Sequence, residues 1–167
     1  MSVLTPELSE PAHAIAELLT ERRETIAVAE SSAGGLISAS LLSVPGASAY
    51  YLGGALIYTS AAARAFLAGS VEMPPNIRGA SDPFARYLAQ AVAVGLGSSW
   101  GLAETGATGP TGNRYGDPAG HAWAAVSRPD GRGQESLHVL TGSDDREANM
   151  VAFAAAALGL LHQSLTA

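Results

Sequence analysis

Residues 25–35 read Thr25-Ile26-Ala27-Val28-Ala29-Glu30-Ser31-Ser32-Ala33-Gly34-Gly35, a short apolar run closed by an acid and followed by two hydroxyls and two glycines. An apolar run of this length bounded by charge predicts a buried strand, and the glycine pair predicts a tight turn. Leu36 to Leu42 then shows a helical pattern that stops at Val44-Pro45-Gly46. Strand, turn and helix in succession point to an α/β fold, in which ligands bind at the carboxyl ends of the strands.

Working outward, Thr5-Pro6-Glu7 is a helix-start signal, and Leu8, Ala12, Ile15, Leu18 and Leu19 then form one apolar face. Ala49 to Thr59 carries two candidate short strands around Gly53-Gly54, and Ser60 to Leu67 is an alanine-rich helix with Ser60 as its cap. Ala68 to Ala80 reads as a surface loop, and Asp82-Pro83 opens the longest helix, running to about Gly97. Trp100 to Thr105 is a strand and Gly106 to Gly120 a glycine-rich loop. His121 to Ser127 and Gln134 to Thr141 are antiparallel strands joined at Arg128-Pro129-Asp130-Gly131, and a last helix capped by Asp144 or Asp145 runs toward Gln163. The whole, residues 1–167, is expected to be one domain: a three-layer α/β/α sandwich with a mixed, mostly parallel sheet.

Composition narrows the function classes. A net charge of −6 and nine scattered basic residues, all of them arginine, argue against a nucleic-acid groove. With no cysteine there is no disulfide and no thiolate metal site. No uninterrupted apolar run reaches the ~20 residues that span a bilayer, and the first residues lack a signal-peptide pattern, so a soluble cytoplasmic protein without membrane contact is expected. The G-x-x-x-x-G-K-[ST] and G-x-G-x-x-G phosphate fingerprints are both missing.

Three segments could meet at one end of the sheet. Ala29 to Gly35 places hydroxyls and glycine N–H groups at a helix start, suited to a phosphate or an oxyanion, or simply to capping. Gly53 to Ser60 delivers Tyr58 to the end of a strand, as a site residue or a half-buried core tyrosine. Thr105-Gly106-Ala107-Thr108-Gly109-Pro110-Thr111-Gly112 is a loop with too little side-chain bulk to fill its own space, as a site loop or a connector.

In this order the segments resemble the C-terminal domain family of the competence/damage-inducible protein CinA. AESSAGG resembles its AES-C-T-GG, VPGASAYYLGGALIYT its VPGAS, GG and Y-S segments, and ETGATGPTG its TG-x-AGP-x-G loop. Pro118-Ala119-Gly120-His121-Ala122-Trp123 and Asp145-Arg146-Glu147 match two further motifs, so the likeness runs over about residues 8 to 162. Active members hydrolyse the carboxamide of nicotinamide mononucleotide to carboxylate and ammonia, without metal or other cofactor. The resemblance implies Ser31 as the nucleophile, with Tyr58 beside it and the Gly34 and Gly35 turn for the oxyanion. It implies substrate contacts from Ser32, Gly53, Gly54, Arg64, Thr105, Gly106, Thr108, Gly109, Gly112 and Arg146. The implied ligand is a pyridine mononucleotide or a related phosphate compound, and the implied assembly is a homodimer in which Ala49-Tyr50-Tyr51-Leu52 is either interface or internal strand.

Two ionic groups depart from the family pattern. The family's base is a lysine five residues after the tyrosine; here that position is Ala63, and the neighbouring Arg64 stays protonated and cannot serve as a general base. Met150 stands where a second arginine is expected four residues after Arg146. Among His13, His121, His138 and His162 only His121 adjoins a motif loop, and a structural hydrogen bond fits it as well as a base would. Glu30, next to Ser31, is a candidate base if burial raises its pKa. The readings are therefore an amidohydrolase and a binding module that has kept the pocket without the chemistry.

Overall fold

The computed structural model describes residues 2–167. Its elements, in chain order, are α1 (Pro6–Arg22), β1 (Ile26–Glu30), α2 (Leu36–Leu42), a 3-10 turn (Ala47–Ala49), β2 (Tyr51–Leu56), α3 (Ser60–Phe66), α4 (Asp82–Leu96), β3 (Trp100–Ala107), β4 (His121–Ser127), β5 (Glu135–Leu140) and α5 (Arg146–Thr166). The strands form one sheet in the order β2-β1-β3-β4-β5. β1 is parallel to both β2 and β3, while β3–β4 and β4–β5 are antiparallel. The sheet is thus mixed: β4 alone is reversed, and the four pairings divide evenly.

Alternation along the strands feeds two cores. From β1, Ile26 and Val28 face α1, α2 and α5, where Leu8, Ile15, Leu19, Ile37, Phe153 and Leu158 are buried. Ala27 and Ala29 face the opposite side, where α4 contributes Ala85, Leu88 and Ala89, and α3 adds Ala63 and Leu67. Each fully buried leucine or phenylalanine contributes roughly 2–3 kcal/mol, so the first core carries most of the hydrophobic stabilisation. The second is built from small residues: a Cβ on Gly101 of β3 would overlap the Ala89 carbonyl of α4.

Two boundaries differ from the sequence reading. Gly53 and Gly54 do not divide a pair of strands; one strand runs through them, because β2 gains its partner groups from β1 over its whole length. The cap of α3 is Thr59, whose hydroxyl accepts from the Ala62 amide at 3.2 Å, and not Ser60. Of the two caps expected for α5, Asp145 takes the role, accepting from the Ala148 amide at 3.0 Å. α5 is long and apolar enough to cross a membrane by length and composition, yet Phe153, Leu158, Leu161 and Leu165 along it are wholly buried in the first core.

Candidate active site

β1 and β3 pair in register up to Ala29 and Ala103, so the next residues of each, Glu30 and Glu104, lie side by side under the Ser31-Ser32-Ala33 turn. Both are buried, and both accept from backbone amides. Glu30 accepts from the amides of Gly35 (3.1 Å), Ile37 (2.9 Å) and Ser38 (2.9 Å), capping α2. Glu104 accepts from the amides of Ser31 (3.1 Å) and Ala33 (2.8 Å), and the Ser32 hydroxyl donates to its other oxygen. Burial pushes the Glu104 carboxyl up to about 7, the neighbouring Glu30 charge adds to the rise, and the three donors oppose it.

The turn itself depends on Gly34 and Gly35, whose φ angles of +69° and +101° lie in the left-handed region that side chains resist. A Cβ on Gly34 would come within 2.8 Å of the Met150 methyl group, so the thioether of α5 sits directly over the turn. One helical turn earlier, Arg146 donates to the Gly109 carbonyl at 2.6 Å and to the Tyr58 hydroxyl at 3.2 Å. Tyr58 is 65% exposed, and Arg146 is exposed beside it. An accessible cation, a phenol, a partly exposed Ser31 and a glycine loop therefore share the carboxyl end of β1, β2 and β3. Chemically, that set offers an anion contact beside a serine hydroxyl.

In a comparison with known proteins, residues 8–165 match the CinA C-terminal domain. The chain belongs to the CinA C-terminal domain family. A CinA-like protein of Prochlorococcus marinus is 38% identical over 72% of the chain and 28% of its own length. A CinA-like protein of Syntrophus aciditrophicus is 38% identical over 92% of the chain and 36% of its own length. The chain thus spans about a third of the length of the curated relatives it matches. The competence/damage inducible protein CihA from Agrobacterium tumefaciens superposes with a TM-score of 0.88 at 26% identity, covering all of both chains. A CinA superfamily protein from Enterobacter cloacae shares the fold with a TM-score of 0.85 at 24% identity, over 99% of this chain and 98% of that one.

Within this CinA-family domain the expected site residues divide. Ser31, Ser32, Gly34, Gly35, Tyr58, Gly109 and Arg146 gather at one end of the sheet, and Thr108 lies just beneath, its carbonyl held by Asn149 at 2.8 Å. Gly53 and Gly54 lie within β2, paired with Ala27 and Val28; a Cβ at Gly53 would press on Leu96 and one at Gly54 on the Val28 carbonyl, so close packing accounts for both. Gly106 is likewise fitted to His121 and Ala122 across the ladder, and Gly112 to the Asp117 carbonyl. Thr105 is buried, and its hydroxyl accepts from the Ala80 amide at 3.2 Å.

Two expectations need correction. Glu30 is not placed as a base, because three amides already occupy its oxygens as the cap of α2. The Gly35 amide points at Glu30 and the Gly34 amide at the Ser31 carbonyl (3.2 Å), so neither faces outward for an oxyanion. Arg64 is exposed on α3 while Ala63 is turned into the second core at 5% exposure, so the two positions look in different directions. His121 is structural: Nε2 donates to the Ala80 carbonyl at 2.8 Å, and its other nitrogen meets His138 at 2.9 Å. Among the described residues no group of three His, Cys, Asp or Glu could hold a metal ion.

The sequence reading missed Glu104 and Asn149. A lone acid inside the otherwise apolar strand WGLAETGA was the available signal for Glu104. Asn149 gave none; it is buried on α5 and binds the Thr108 and Ser143 carbonyls and the Thr141 hydroxyl.

Proposed function

We propose that this domain is an amidohydrolase of the nicotinamide mononucleotide deamidase type, converting a carboxamide to a carboxylate and ammonia with a serine of the Ser31-Ser32 turn as nucleophile. The observation that carries the reading is the exposed Arg146 guanidinium, anchored on Tyr58 and Gly109 beside that turn. An always-charged planar cation there suits the phosphate of a mononucleotide, which would set the carboxamide against the serines. Pairing of two copies belongs to the same proposal, supported by Leu52 and Leu56, 44% and 51% exposed on the edge strand β2.

A second reading, a ligand-binding module without turnover, is favoured by Ala63 in the position of the family lysine in a chain that contains no lysine. Ammonia release from nicotinamide mononucleotide, run beside a binding titration, separates the two. The amidohydrolase reading expects turnover that falls on the order of 100-fold or more in Ser31→Ala or Ser32→Ala. Saturable binding without ammonia release would replace it with the binding module, and full activity in both variants would remove the serines from the chemistry.

A further inference from the structure

We propose that Ser32 and Glu104 form a nucleophile–base pair that supplies the proton acceptor this chain lacks at position 63. The pairing rests on contact geometry: the Ser32 hydroxyl is buried to 6% exposure and donates to a Glu104 carboxylate that is itself fully enclosed. A serine becomes nucleophilic when a base within hydrogen-bond reach takes its proton, and the base is held in turn by other groups. Glu104 is so held, by the Ser31 and Ala33 amides, which both donate to Oε2 and leave Oε1 to the Ser32 hydroxyl. Among the described residues the Ser31 hydroxyl has no such acceptor, since Ser31 meets Glu104 through its amide alone.

The alternative bases are weaker. Glu30 has its oxygens engaged by three amides, Arg64 and Arg146 cannot accept a proton, and the His121–His138 pair is tied to the Ala80 loop. A carboxylate serves as a base near neutrality when its pKa approaches the working pH, and burial beside Glu30 moves Glu104 in that direction. Glu30, from β1, is the charged side chain that faces it.

The inference rests on the amidohydrolase reading for its substrate, and its chemistry balances without a further reagent. Glu104 takes the Ser32 proton as Oγ bonds to the carboxamide carbon and the carbonyl pair moves onto oxygen. When that oxyanion collapses, the C–N bond breaks and the proton passes from Glu104 to the departing nitrogen, which leaves as ammonia. Water then adds to the acyl ester, giving its proton to Glu104. The ester bond breaks, Ser32 recovers the proton, and the carboxylic acid departs.

Covalent labelling with a fluorophosphonate tests the pair independently of substrate. The purified full chain is labelled across pH 5 to 9 and the modified serine located by peptide mass spectrometry, in the native protein, Ser31→Ala, Ser32→Ala, Glu104→Gln and Glu104→Asp. The expected result is label on Ser32, at a rate rising through a single ionisation near neutrality. Labelling should slow on the order of 100-fold or more in Glu104→Gln and be retained in part, with its pH dependence, in Glu104→Asp. Label on Ser31, label on neither serine, or a native rate with no pH dependence over this range overturns the pair; so does an unchanged rate in a Glu104→Gln protein that keeps its circular dichroism. Glu104-dependent label on Ser32 without ammonia release from nicotinamide mononucleotide would sink the substrate reading and leave the pair standing.

Discussion

Glu104 makes stability depend on pH in a direction opposite to most carboxylates. Its folded pKa of about 7 lies above the unfolded value of 4.5, so the neutral acid is the form the fold prefers. That preference is fully present below the unfolded pKa and is lost as pH rises through the folded one. Relative to Glu104→Gln, which cannot ionise, the native protein should lose about 3 kcal/mol of unfolding free energy between pH 4.5 and 8. Urea denaturation of both proteins at the two pH values checks this; a difference that stays constant would mean Glu104 does not titrate in that window. The acid was visible in the sequence as a charge inside a buried strand. Its partnership with Ser32, 72 positions away, was not, because it follows from the β1–β3 register and no local pattern encodes which rungs meet.

At the scale of elements, the loop over residues 68–80 and the loop over residues 106–120 are one assembly. Arg78 holds Asp117 through two bonds of 2.6 and 3.2 Å, Asn113 donates to the same carboxylate at 2.8 Å, and Thr105 and His121 grip the amide and carbonyl of Ala80. The Arg78 hydrogen bond holds the Asp117 carboxyl below the usual aspartate range, so the tie is present above that range and is lost as pH falls through the lowered value. Asp117→Ala should cost about 1–3 kcal/mol and speed limited proteolysis within both loops at once. Cleavage confined to the loop that carries the substitution would refute the coupling. Asn149→Ala acts on the neighbouring junction of α5 with the loops: with the Thr108 and Ser143 carbonyls left without their donor, about 2–3 kcal/mol of stability should be lost in thermal unfolding. Helices announced themselves through apolar spacing and capping residues, and the sequence placed all five within a few residues. The loops gave no sign of gripping each other, since ion pairs such as Arg78–Asp117 depend on where the chain returns.

For the whole molecule, the parallel strand–turn–helix unit at residues 26–42 and the hairpin at residues 121–140 were legible because each is specified by neighbours in the chain. The strand order was not, and neither was the exposure of one sheet edge. β2 leaves Leu52 and Leu56 facing solvent at that edge, whereas Tyr50 next to it is wholly buried and donates its hydroxyl to the Leu41 carbonyl. The stretch weighed as interface or internal strand divides residue by residue, with Tyr50 in the core and Leu52 at the surface. Light scattering of the native protein is expected to give a dimer mass and Leu56→Glu a monomer mass, and a native monomer would remove the edge from consideration.

The unequal packing of the two sheet faces also bears on how such a domain can diverge. Where α1 and α5 press large side chains together, a volume lost at one position can be regained at a neighbour, so that core can drift by compensated exchange. Against α4, the Gly101–Ala89 approach leaves no methyl group to trade, and almost any change there adds bulk with nowhere to go. Lineages of this domain should keep the α4 seam nearly fixed while the opposite core changes its cast of residues, so that one flank of the sheet keeps the record of ancestry and the other the record of drift.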